Sequence, residues 1–83
     1  MTNFNIYQVM FYNNHLKTNE EYFSTLQGAK NFIIKKLKQY NINISAEEFL
    51  VESERFPNYY SGKFMKDIHQ EYSAFINELE VIV

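Results

Sequence analysis

The run Phe4-Asn5-Ile6-Tyr7-Gln8-Val9-Met10-Phe11-Tyr12 places apolar or aromatic side chains on both alternating faces. Residues of this kind favour extended backbone. A strand that is apolar on both sides reads as one covered on both sides, central in its sheet. The chain therefore has to supply two layers of cover. Either helices sit on opposite faces of the sheet, or a second chain covers one of them, which makes a homodimer one of the expected states.

The material for that cover is mostly aromatic. Eight Phe and seven Tyr occur in 83 residues, with no Trp, no Cys, two Gly and one Pro. Large rings let a chain of this length build a dense core without disulfide or metal staples. The length suits a single domain spanning residues 1–83. Absence of Cys removes disulfides, thiolate metal sites and a cysteine nucleophile together, and fits a reducing cytoplasm. Met1-Thr2-Asn3-Phe4 starts no basic-then-apolar leader, and no apolar run reaches the roughly 18 residues of a membrane span. The expectation is a soluble cytoplasmic protein without a membrane partner.

Further elements follow from pattern. Asn13-Asn14 supplies turn chemistry, residues 15–20 read as a polar loop, and Glu21-Tyr22-Phe23 as a short returning strand. Ser24-Thr25-Leu26-Gln27 fits a capping box, opening a helix over about 24–40. Its apolar stripe is Leu26, Ala29, Ile33, Leu37 and Tyr40, flanked by Lys30 and Lys36, whose stems can cover apolar surface. A second capping pattern, Ser45-Ala46-Glu47-Glu48, precedes a strand from Phe49 to Phe56 that Pro57-Asn58 ends, and Tyr59-Tyr60-Ser61-Gly62 reads as a loop. Phe64, Met65, Ile68, Tyr72, Phe75, Ile76 and Leu79 then fall on one helical face, giving a second helix over about 63–79. Glu80-Val81-Ile82-Val83 can leave that helix and add a strand. The sum is an α+β fold: a small, mainly antiparallel sheet of three or four strands packed against two helices.

No motif carries catalysis or a cofactor. Glu52 and Glu54 alternate onto one strand face about 7 Å apart, a spacing that suits acid–base work or a cation; a solvated strand face is the plainer reading. His15 and His69 lack a second ligand at helical spacing. None of Ser24, Ser45, Ser53, Ser61 and Ser73 lies in a nucleophile elbow, and Gly28 and Gly62 form no phosphate loop. The chain is expected to be no enzyme and to hold neither cofactor nor metal.

Charge divides the chain. Residues 1–44 hold five Lys against two Glu, and residues 45–83 hold eight acids against three cations. Lys30, Lys35, Lys36 and Lys38 give helix 24–40 a basic aspect that would suit a nucleic-acid-binding regulator, but they spread around the helix and Arg is nearly absent. On a helix, Asp67, Glu71 and Glu78 fall within a narrow arc and form an acidic ridge. Among the aromatics, Phe4, Tyr7, Phe11, Phe32, Tyr40, Phe49, Phe64, Tyr72 and Phe75 fit core positions. Tyr12, Tyr22, Phe23, Phe56, Tyr59 and Tyr60 are left over. Phe56-Pro57-Asn58-Tyr59-Tyr60 is then a contact patch or a lid on the core.

In its length, its A/T-codon-rich composition, its lack of catalytic motifs and its acidic second half, the chain resembles small accessory proteins of phages and mobile elements, including anti-CRISPR inhibitors. The resemblance implies a noncatalytic module that binds a host protein and inhibits or regulates it, with Phe56, Tyr59 and Tyr60, Glu52 and Glu54, and Asp67, Glu71 and Glu78 as natural contacts. The alternative is nucleic-acid binding through helix 24–40.

Overall fold

A computed structural model describes residues 3–43, 51–52 and 59–82. The two-sided run forms β1, Asn3–Asn13, and turns directly into β2, Leu16–Phe23. Asn14 and His15 both take positive φ, 48° and 69°. Left-handed backbone at both central residues matches the twist of the flanking strands, so a two-residue turn suffices. The polar loop expected over 15–20 is thus strand. Lys17 pairs with Tyr12 and Asn19 with Phe11, which leaves Thr18 as the extra residue of a bulge, its hydroxyl donating to the Phe11 carbonyl at 3.3 Å.

Helix α1 runs Leu26–Gln39 and is capped by Thr25, one residue later than the capping box places it; the Gly28 N–H donates to Thr25 Oγ1 at 3.0 Å. Ala29, Ile33 and Leu37 of the stripe are buried and Leu26 and Tyr40 pack beside them. The helix ends where Asn41 turns left-handed at φ 64° and Ile42 N–H returns to the Leu37 carbonyl at 2.9 Å.

The remaining described strands are β3, Val51–Glu52, β4, Tyr59–Asp67, and β5, Gln70–Ile82. The sheet order is β2-β1-β5-β4-β3, and every neighbouring pair is antiparallel. Among the described residues, four long strands and one helix on the sheet make an α+β architecture. Of the expected strand Phe49–Phe56, only Val51 and Glu52 are described. The second capping pattern, Glu54, Phe56 and Pro57 lie outside the described residues.

The second helix, over 63–79, does not form. Its residues belong to β4 and β5, joined by Ile68–His69, and the loop assigned to 59–62 is the start of β4. Asp67 makes the turn by accepting the His69 N–H at 2.7 Å and the Gln70 N–H at 2.9 Å. The helical stripe misleads because four is an even spacing. Tyr72 and Ile76 share a face in a helix and in a strand alike, as do Phe75 and Leu79. Both faces of β5 are apolar, and pairing along its length with β1 decides for the strand. Glu80, Val81 and Ile82 continue β5, in line with the strand alternative for the chain's end.

The core lies between α1 and one sheet face. Val9, Phe11, Ala29, Ile33, Leu37, Tyr72, Ala74 and Ile76 are fully buried. Tyr72 stacks on Tyr40 at 4.5 Å and meets Phe11 at 6.1 Å between centroids. Fourteen helical residues span about 21 Å, whereas the thirteen of β5 span about 43 Å. Beyond Tyr7 and Asn77, where β2 and β4 make their last pairings, β1 and β5 continue as a two-stranded ribbon among the described residues. No helix among the described residues is long and apolar enough to cross a membrane.

Candidate functional site: the open face of the sheet

Alternation sends Tyr7, Val9 and Phe11 of β1 towards α1 and leaves Ile6, Gln8, Met10 and Tyr12 on the opposite face. Register carries this across the sheet. Met10 lies opposite Phe75, Tyr12 opposite Ser73, and Asn77 opposite Tyr59. No described helix or strand lies over this second face.

Its centre is aromatic. The Tyr12 ring stands edge-on to Phe75 at 5.5 Å and 88°, and Tyr59 reaches the same ring at 6.1 Å. With Met10, His15 and Ser73 these rings line an open depression of about 260 Å³. Desolvation among them, reinforced by Tyr12, raises the Tyr59 hydroxyl above its ordinary pKa. The depression is open to solvent and lined mainly by apolar and aromatic side chains.

Several charges at the margins are neutralised within the chain. Lys63 Nζ lies 3.1 Å from Glu71 Oε1, and His15 Nε2 lies 3.7 Å from Glu71 Oε2. Lys17 pairs with Glu20 at 3.0 Å, and Glu20 also accepts from the Tyr22 hydroxyl, which in turn accepts from Gln8 Nε2 at 3.2 Å. Lys17 holds the Glu20 carboxyl below its ordinary pKa, with Tyr22 helping, and Glu20 raises Lys17 in return.

The contacts expected from the sequence are dispersed. Neighbours on a strand point apart, so Tyr59 joins the open face while Tyr60 packs against the core, with Lys30 Nζ 5.8 Å from its ring. The acidic ridge of Asp67, Glu71 and Glu78 does not exist, because it needed a helix. Asp67 builds the turn, Glu71 sits between Lys63 and His15, and Glu78, an odd number of residues from Glu71, faces the other side, where it accepts from the Tyr7 hydroxyl. Glu52 lies opposite Tyr60 in β3; Glu54 and Phe56 are outside the described residues. Lys36 Nζ is 5.7 Å from the Tyr40 ring and 6.0 Å from Phe11, so two of the helix's four lysines roof the core; Lys35 and Lys38 are exposed. Among the described residues no three His, Asp or Glu side chains gather as a metal site.

Met10, Tyr12 and Phe75 are the site residues that sequence reasoning missed as a group. The helical reading of residues 63–79 assigns Phe75 to the core. Reading β5 with a period of two puts it opposite Tyr72 and Ile76 and beside Tyr12. Comparison with protein families, curated proteins and solved structures finds no match for this chain.

Proposed function

We propose that the protein is a small noncatalytic protein-binding module whose contact surface is the open face of the sheet. The observation that carries this is the Tyr12–Phe75–Tyr59 cluster, which sits in a shallow depression on a face no described element covers. Tyrosine-rich, flat apolar centres with polar margins are what protein interfaces use, because rings bring large area with few rotatable bonds. Aromatic rings on a sheet also suit stacked bases, but Lys17 and Lys63 beside them are each paired with a carboxylate, and such a platform needs free cations for the phosphates.

The test is affinity capture with the wild-type chain and with Tyr12→Ser/Tyr59→Ser, followed by binding measurements on purified components. A protein held by the wild type and released by the variant, at unchanged circular dichroism, supports the proposal. Equal retention by both sinks it. Labelled single-stranded DNA and RNA at low salt are expected to remain unbound.

A further inference from the structure

The first strand needs cover on two sides, and the described chain provides one helix on one side. The side that no described element covers is apolar well beyond the aromatic depression. Phe4 lies opposite Val81 and Ile6 opposite Leu79 at the ribbon end; Met10 lies opposite Phe75, with Tyr12 beyond it, at the turn end. Between them Gln8 faces Asn77, a pair of carboxamides at the centre of the stripe. The pattern is thus apolar, amide, apolar, and reads the same from either end.

Size and charge both favour a second copy as occupant. Strands about 4.8 Å apart with the lengths of β1, β2, β4 and β5 give this face a footprint on the order of 700 Å². That is close to the roughly 800 Å² per partner of a stable protein interface. Lys17–Glu20 and Lys63–Glu71 are paired within the chain, so a strongly charged partner gains little there, whereas a near-neutral apolar face complements itself. Gln8 Nε2 is held by the Tyr22 hydroxyl, which fixes an amide at the centre of the patch. A polar residue at such a place sets register in a symmetric pair.

We propose that two copies of this chain pack face to face through these open sheets, about a two-fold axis at Gln8–Asn77. The aliphatic end of each copy, Ile6 and Leu79, then covers the aromatic end, Met10 and Phe75, of the other. This rests on the reading of the face as protein-binding and names its occupant. Isologous packing of this kind closes after two copies, and sheets so stacked lie about 10 Å apart.

Sedimentation equilibrium on the untagged chain across about 1–100 µM tests it, since interfaces of this size hold at micromolar or tighter. The wild type is expected at twice its 10.0 kDa mass. Phe75→Asp and Ile6→Lys are each expected to weaken association at least 100-fold, and mixing the two variants to restore a dimer, because the new charges meet across the two-fold. Circular dichroism confirms folding; where Phe75→Asp fails to fold, Tyr12→Asp at the margin of the same face replaces it. A wild type that is monomeric throughout, or a dimer indifferent to these substitutions, overturns the inference. A dimer that the variants break and mixing does not restore overturns the two-fold register. If the wild type is monomeric while Phe75→Asp still releases some other captured protein, the second copy is the wrong occupant and the binding face stands. If it is monomeric and nothing is released, both readings fall.

Discussion

Asn14 and Glu71 hold each other by two hydrogen bonds. The Asn14 N–H donates to the Glu71 carbonyl at 2.8 Å, and the Glu71 N–H donates to Asn14 Oδ1 at the same distance. The turn residue thereby extends the β1–β5 ladder past Asn13–Tyr72, and its left-handed backbone, φ 48°, lets one residue serve as turn and rung. Asn14→Gly keeps the backbone and loses the acceptor, at a cost of about 1 kcal/mol. Asn14→Ala adds left-handed strain and is expected to cost about 2 kcal/mol. Urea denaturation of the two variants checks the order; an alanine variant as stable as the glycine variant contradicts it.

The Tyr72 hydroxyl is buried without a hydrogen-bond partner among the described residues, and burial pushes its pKa up. Tyr72→Phe is expected to keep the stack on Tyr40 and to gain about 1 kcal/mol, since an orphaned hydroxyl is expensive. Tyr72→Ala should cost about 4 kcal/mol. A clear loss of stability in the phenylalanine variant would show that the hydroxyl has an acceptor.

Tyr59 and Tyr60 are neighbours with opposite duties. Tyr60→Ala removes a ring packed on the core and is expected to cost about 2 kcal/mol. Tyr59→Ala loses one ring contact with Phe75, worth about 1 kcal/mol, and weakens association. Thermal melts paired with sedimentation separate the two. Equal melting temperatures would contradict the assigned faces.

Thr25 closes the helix start through Gly28 N–H. Thr25→Ala is expected to cost about 1 kcal/mol, while Ser24→Ala costs only a few tenths. Reversal of that order would return the cap to Ser24.

Titration acts at both ends of the pH range. Glu20 has a folded pKa below its ordinary 4.5, so its contribution is present above that value and is lost as pH falls through the folded pKa. Tyr7 is raised above 10.0, first by its bond to Glu78 and then by desolvation. Its contribution is present below 10.0 and is lost as pH rises through the folded pKa. Glu20→Gln should therefore flatten the acid limb of a stability profile, slightly and only at low salt because the pair is exposed. Tyr7→Phe should flatten the alkaline limb. Unchanged limbs would mean that other groups control them.

Helix α1 was legible because a strand would put Gln27, Asn31 and Lys35 on the same face as Ala29, Ile33 and Leu37, whereas a helix places the two sets on opposite sides. The strand at β1 was legible from side-chain type, and Asn14 from turn chemistry. The β4–β5 hairpin was not, since Tyr72, Ile76, Phe75 and Leu79 satisfy both periods, and the deciding partner, β1, lies some sixty residues away in the chain. The site inherited that error. Tyr59 stood out as a surplus aromatic, yet its companions Phe75 and Met10 come to it only through a register that local pattern does not contain.

Strands β1 and β5 outrun the helix, and that mismatch grades the molecule along its length. Amides of residues 3–6 and 79–82 are sheltered by one neighbouring strand, whereas those near Phe11 and Ala74 sit in the middle of the sheet under α1. In a single, unassociated copy, opening the ribbon breaks a few hydrogen bonds and exposes little core, so it costs far less than global unfolding. Hydrogen exchange should therefore advance from that end as a fraying front, and slow sharply where it reaches Tyr7 and Glu78.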